Sequence, residues 1–109
     1  MLMSTLFVAA ASTVAAPLVT VLPAEAASQR TWERLAQCES GGRWHINTGN
    51  GYYGGLQFSR ATWQAFGGHR FARTADRARK PEQIRIAEKV RRQQGWGAWP
   101  ACSRRIGVR

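Results

Sequence analysis

The amino-acid sequence predicts a small α+β domain, mostly helical, with a short β-hairpin in a glycine-rich loop and one disulfide. Three observations predict it. Apolar residues recur at helical spacing in three separate stretches. Between the first two lies WHINTGNGYYGGLQF, residues 44–58, crowded with Gly, Asn and aromatic residues that suit turns and short strands. Only two cysteines are present, Cys38 and Cys102, one near each end of the patterned region.

The chain opens with MLMSTLFVAAASTVAAPLVTVLPAEAA, which has no Lys or Arg and a single acid, Glu25. An apolar run ending in Ala24-Glu25-Ala26 is read as a signal peptide over residues 1–26, although a positive n-region is absent. A membrane anchor is the alternative, and Pro17, Pro23 and the small-residue end favour cleavage over it. The expected product is secreted, extracellular or associated with the cell wall. Residues 27–109 suffice for one small domain, with a patterned core at about 31–102. All 16 Lys and Arg lie in that part with five of the six acids, leaving it at +11. So basic a domain is drawn to polyanions. For an exported protein, anionic lipid and wall polymer come before nucleic acid, and none of the latter is expected as a partner. Export also favours a Cys38–Cys102 disulfide over two buried thiols. A small core benefits from such a staple.

Ser28 to Cys38 reads as the first helix. Trp32, Leu35, Ala36 and Glu39 fall at i, i+3, i+4 and i+7, on a single face. Thr31 is the expected cap, with Glu33 in the first turn and Ser40-Gly41-Gly42 as the stop. Glu39 therefore sits at the last turn beside Trp32 and Leu35. Burial and the negative helix end both raise the pKa of a carboxyl placed there. In the glycine-rich stretch, Asn50-Gly51 is a hairpin signal, and a short β-turn or small hairpin is expected there rather than a helix. Ser59 caps a second helix through Phe66, with Thr62, Trp63 and Phe66 on one side and Gly67-Gly68 after it. Phe71 to Lys80 is an Arg-rich connector long enough to hold a helical turn. Pro81 and Glu82 suit the start of a third helix whose face is Ile84, Ala87 and Val90 and can extend to Gln94. The final QGWGAWPAC returns two tryptophans with Cys102.

A disulfide between Cys38 and Cys102 places Trp96 and Trp99 near Glu39. Aromatic crowding keeps a carboxylic acid protonated near neutral pH, ready to donate. Five Trp and two Tyr also supply flat apolar faces on which sugars stack. A general acid in an aromatic cleft points to cleavage of a glycosidic bond.

Three longer strings carry a family resemblance. WERLAQCESGG, NTGNGYYGGLQFSRATWQAFGG and AEKVRRQQGWGAWPAC together resemble the catalytic domain of the resuscitation-promoting factors, secreted by actinobacteria, over about Trp32 to Cys102. Glu-Ser-Gly-Gly followed by Gly-Gly-Leu-Gln also resembles lytic transglycosylases. The resemblance implies a lysozyme-like fold with a sugar groove. It implies cleavage of the β-1,4 bond between N-acetylmuramic acid and N-acetylglucosamine in peptidoglycan, promoting wall remodelling and the growth of dormant cells. Carried over by position, Glu39 is the catalytic glutamate, Cys38 and Cys102 are the family disulfide, and Asn50, Tyr52, Gln57, Thr62 and Gln94 are groove positions that bind substrate. Peptidoglycan glycan strands are the implied partner. A peptidoglycan endopeptidase pairs with some family members. A monomer is expected, with no cofactor and no metal. The stretch Arg70 to Lys80 is more basic than the family pattern, which leaves the specificity of that rim open.

Two-carboxylate glycosidases hold their acids about 5.5 Å apart when retaining and about 6.5–9.5 Å apart when inverting. Glu33 lies roughly 120° around the first helix from Glu39 and about 9 Å along it, pointing to solvent. Glu82 and Glu88 fall off the Ile84–Val90 face and read as surface charge. Asp76 reads as a turn cap or a partner of Arg73 or Arg79. A single-glutamate mechanism is therefore expected. Glu39 protonates the leaving oxygen, then acts as base toward the muramyl 6-hydroxyl or toward water, with the lytic route preferred.

Each groove residue has a plainer reading. Gln57 can tie down the glycine loop, Thr62 can bond the preceding turn, and one of Tyr52 and Tyr53 packs inward as strand side chains alternate. Trp32 and Trp63 read as core; Trp96 and Trp99 fit core or cleft equally. His45 and His69 lack metal-ligand spacing. Two other function classes remain on sequence grounds. One is a non-catalytic wall-binding or signalling domain. The other is a cationic protein that damages anionic membranes, which the ordered glycine motifs disfavour.

Overall fold

The structure is a computed structural model and describes residues 26–109. The signal peptide expected over residues 1–26 lies outside the described residues apart from Ala26. The elements are α1 (Gln29–Ser40), β1 (Tyr52–Tyr53), β2 (Phe58–Ser59), α2 (Arg60–Ala65), α3 (Lys80–Gln94) and α4 (Pro100–Ile106). Single 3₁₀ turns lie at Gly68–Arg70, Ala75–Arg77 and Gly95–Ala98. The domain is α+β, mostly helical, with one two-stranded antiparallel sheet. Among the described residues, no helix is long and apolar enough to cross a membrane.

α1 covers the expected stretch, but its cap differs. Ser28, not Thr31, is its cap: the Ser28 backbone is extended, and its Oγ accepts the Thr31 N–H at 3.1 Å. Thr31 itself is inside the helix. The predicted face holds, with Trp32, Leu35 and Ala36 fully buried. Gly41, at φ 69°, closes the helix by donating its N–H to the Ala36 and Gln37 carbonyls.

The hairpin pairs Tyr52 with Ser59 and Tyr53 with Phe58. Its turn is Gly54–Gln57, not the Asn50-Gly51 pair. Asn50 instead accepts the Tyr52 N–H on its own Oδ1 at 3.0 Å, a local turn that leads into the strand. The Gly-Gly pair is required where the turn is pressed between two side chains. A Cβ on Gly54 would lie 2.5 Å from Gln83 Oε1, and one on Gly55 would lie 2.5 Å from the Trp44 ring. Gly55→Ala therefore forces the Trp44 indole out of place. Overpacking of this kind destabilises by about 1–3 kcal/mol, and the expected result is a melting temperature lower by roughly 4 °C or more.

Gln83 holds the turn from the other side. It is fully buried, and its Oε1 accepts the Gly55 N–H at 3.0 Å. Its Nε2 donates to the Trp44 carbonyl at 2.8 Å and the Ala78 carbonyl at 3.0 Å. A glutamine satisfied in this way can take a core position. It draws the face of α3 to Gln83, Ile86, Ala87 and Val90, all buried, and leaves Ile84 on the rim. The face expected from Ile84, Ala87 and Val90 was thus rotated by about one residue.

α2 starts at the predicted cap, where Ser59 Oγ accepts the Thr62 N–H at 3.1 Å. Its Trp63 is fully buried and donates Nε1 to the Ala72 carbonyl at 2.8 Å. α4 was not anticipated. Pro100 opens it, where a missing N–H costs nothing, and Gly107 closes it in the left-handed region. The core lies between α1, α3 and the hairpin. There Trp32 packs against Trp96 and Trp99 with ring centroids 4.9 and 5.3 Å away, and Phe58 packs on Trp63 at 5.3 Å. The Cys38–Cys102 disulfide is formed and joins α1 to α4 with Cα atoms 5.7 Å apart.

Candidate active site

Glu39 is half-buried at the penultimate position of α1. The residues on both sides of it are fixed. Cys38 is bonded to α4. Ser40 is buried, with its Oγ 3.0 Å from the Ala36 carbonyl and 2.9 Å from the Gly55 carbonyl. The end of α1 is thereby tied to the glycine turn, and Glu39 faces a cleft of about 270 Å³. The other walls of this cleft are Tyr52, Gln57, Ala98, Trp99 and Pro100. Partial burial raises the Glu39 pKa above the ordinary carboxylate value. Among the described residues, no Lys or Arg pairs with it to offset that.

Tyr52, Gln57, Ala98 and Trp99 also wall a second, smaller cavity of about 110 Å³, into which Thr62 and Gln94 project. Because four walls are shared, the two cavities form one groove running from Glu39 past the hairpin to the C-terminal end of α3. Glu39, Tyr52, Gln57, Thr62 and Gln94 are brought together along it. Asn50 is not among its walls; it is exposed and turns its Oδ1 to the chain ahead. Tyr52 is 50% exposed and faces the groove, whereas Tyr53 turns to the opposite side of the hairpin.

Two groove residues are held in unusual settings. Gln57 is the one described non-glycine residue with positive φ, at 56°, a conformation sparsely populated for side-chain-bearing residues. Its Nε2 donates to the Gly54 carbonyl at 3.0 Å. Gln57 therefore ties down the loop and lines the groove at once. Trp99 is buried and donates Nε1 to the Leu56 carbonyl at 3.0 Å, which fixes its indole as a rigid wall. Trp96 does not wall the cleft at Glu39. It lies behind Trp99, with the Arg91 guanidinium 5.4 Å over its ring.

Among the described residues, no other carboxylate lines the cleft. Glu33 pairs with Lys80 at 2.6 Å on the surface, and that contact holds its carboxyl below the ordinary range. Glu82 pairs with Arg79 at 3.0 Å and is likewise lowered. Asp76 forms no ion pair with Arg73 or Arg79. Its backbone carbonyl meets His45 Nδ1 at 2.8 Å, while its Oδ1 is buried without a partner. Glu88 corrects the expectation of a surface charge. It is 8% exposed, accepts the Trp32 Nε1–H at 2.9 Å and pairs with Arg91 at 3.2 Å. A buried indole N–H needs an acceptor, and Glu88 supplies it once α3 is rotated as described. Periodicity could not have found this role, nor that of Gln83, because both residue types are ordinarily exposed. Among the described residues, no group of His, Cys, Asp and Glu is placed to hold a metal ion.

This geometry can deliver a proton from Glu39 to a group lying in an aromatic-walled groove, with amide and hydroxyl side chains along its length. Comparison with known proteins gives the arrangement its context. Residues 26–102 match the family model described as a transglycosylase-like domain. The chain is similar to resuscitation-promoting factor Rpf1 of Corynebacterium glutamicum, with 55% identity over 105 residues, covering 96% of this chain and 52% of that protein. It is 61% identical over 79 residues to resuscitation-promoting factor RpfB of Mycolicibacterium smegmatis, covering 72% of this chain and 22% of that protein. With resuscitation-promoting factor Rpf of Micrococcus luteus the identity is 55% over 86 residues, covering 79% and 37% respectively. The chain thus spans about half, or less, of the length of these relatives.

Proposed function

The chain belongs to the transglycosylase-like family of the resuscitation-promoting factors, and from that premise we propose that it is a secreted enzyme that cleaves peptidoglycan. The bond is the β-1,4 link between N-acetylmuramic acid and N-acetylglucosamine, and Glu39 serves as general acid and then base. The observation that carries this reading is a half-buried carboxyl, raised in pKa by its burial, in a groove that no second carboxylate lines among the described residues.

In the first step the Glu39 proton passes to the glycosidic oxygen as the bond to the muramyl C1 breaks. The N-acetylglucosamine side leaves as an alcohol, and positive charge develops at C1. The substrate's own N-acetyl oxygen can share that charge, as in substrate-assisted glycosidases. The Glu39 carboxylate then accepts a proton from the muramyl 6-hydroxyl as its oxygen closes onto C1. The product is a 1,6-anhydro sugar, and Glu39 ends protonated as it began. Tyr52, Gln57, Thr62 and Gln94 supply stacking surface and hydrogen-bonding groups along the groove. Their joint placement beside Glu39 favours sugar contact. Asn50 is not among the groove walls, and a substrate contact there would lie beyond them. Cleavage of this kind remodels the wall and promotes the growth of dormant cells.

Mass spectrometry of products from purified glycan strands tests the route. Fragments one water lighter than the hydrolysed sugars are the expected result. Products of hydrolytic mass alone would rule out the intramolecular closure.

A further inference from the structure

The groove at Glu39 occupies one side of the hairpin, and the other side carries a second cavity. Tyr53 lines it together with Asn47, Arg60, Arg73, Thr74 and Arg77, and its volume is about 290 Å³. The three arginines come from the start of α2 and from two points on the basic connector, so the fold rather than the local sequence assembles them. Among the described residues, no Asp or Glu lines it. Among the described residues, none of the three guanidinium groups makes an ion pair; the ion pairs present use Arg79, Lys80 and Arg91. Asp76, the connector's single acid, does not line the cavity.

A concavity lined by one sign of charge concentrates the opposite ion. The donor set narrows which anion fits. A carboxylate offers two oxygens in one plane and is satisfied by one guanidinium fork. Phosphate offers three terminal oxygens about a tetrahedron and can accept from several forks at once. The Tyr53 and Thr74 hydroxyls and the Asn47 amide add neutral donors. We propose that this cavity is a phosphate-binding site, taking inorganic phosphate or the phosphate of a phosphorylated sugar. The proposal is separate from the assignment of Glu39 and stands or falls without it.

Calorimetric titration of the full chain with inorganic phosphate and with glucosamine 6-phosphate, at fixed salt and with acetate as comparator, tests the site. Both phosphates are expected to bind saturably at one site, and acetate far more weakly. Tighter binding of the phosphosugar identifies a sugar-borne group; equal binding identifies phosphate itself. R60Q/R73Q/R77Q should raise the phosphate Kd at least about 100-fold, since each charged hydrogen-bonding group lost weakens binding by roughly tenfold. R30Q/R92Q/R104Q removes the same charge from exposed positions elsewhere and should change the Kd by no more than about threefold. If the triple variant proves unfolded, the single variants R73Q and R77Q carry the same comparison at about tenfold each. Absence of saturable binding, equal weakening by the control set, or acetate binding as tight as phosphate would each overturn the proposal.

Discussion

Glu39→Gln is expected to abolish cleavage of cell-wall glycan while leaving the fold intact. The amide matches the carboxyl in shape but has no acidic proton to transfer, and general acid catalysis contributes about 10²–10⁴-fold. Among the described residues, no second carboxylate on the walls is placed to take over. A turbidity assay on purified walls reads the loss directly, and undiminished lysis by the variant would remove Glu39 from the reaction. The pH dependence of stability supplies a second, independent signature. Burial raises the folded-state pKa of Glu39 above its unfolded value, so between the two values the folded protein holds a proton that the unfolded chain releases. Stability therefore falls as pH rises through that window. The glutamine variant lacks the desolvated charge. It should melt above the parent at neutral pH and converge with it below the ordinary carboxylate range. The catalytic activity of the parent should decline on the alkaline side of the same raised pKa, as the acid form is lost.

Replacing Cys38 and Cys102 by serine is expected to have the largest effect on stability. The bond spans 64 residues, and loss of a closed loop of that length costs about 4 kcal/mol by the chain-entropy account. For a domain of this size the whole folding free energy is only on the order of 4–13 kcal/mol. A drop of about 15 °C or more in melting temperature should follow. Activity should fall with it even where the chain remains folded. The cleft walls Ala98 and Trp99 immediately precede α4 and the wall Pro100 opens it, and the disulfide clamps α4 against the end of α1 that carries Glu39. Thermal melts with and without reductant measure the effect. An unchanged transition would show that the apolar contacts of Trp32, Trp96 and Trp99 hold the two segments together unaided.

The two predictions draw on features of different legibility in the sequence. Helical periodicity identified the buried side of α1 down to Trp32, Leu35 and Ala36, and the Ser59 cap was readable from residue type alone. The expected disulfide followed from having two cysteines and signs of export. Turn chemistry misled at Asn50-Gly51, because a strong hairpin signal was used to lead into the strand rather than to reverse it. The two polar residues that organise the interior, Gln83 and Glu88, were illegible for a related reason. Burial of either is unfavourable until specific partners are present, and those partners lie on other segments: Gly55, Trp44 and Ala78 for Gln83, Trp32 and Arg91 for Glu88.

What the linear order of residues determined by itself was local: the apolar stripe of α1, the Ser59 cap of α2, and that a carboxyl stands at the last turn of α1. Those properties depend on neighbours three or four positions away, and short-range backbone sterics and hydrogen bonding decide them. Only the tertiary structure decided which indole walls Glu39, which of Tyr52 and Tyr53 faces the groove, and that Arg60 meets Arg73 and Arg77 around one cavity. Each of these depends on how segments distant in the chain pack together. A shift of α3 by one residue changes which side chains are buried, so the outcome is fixed by the combined fit of the core and not by any single stretch of sequence.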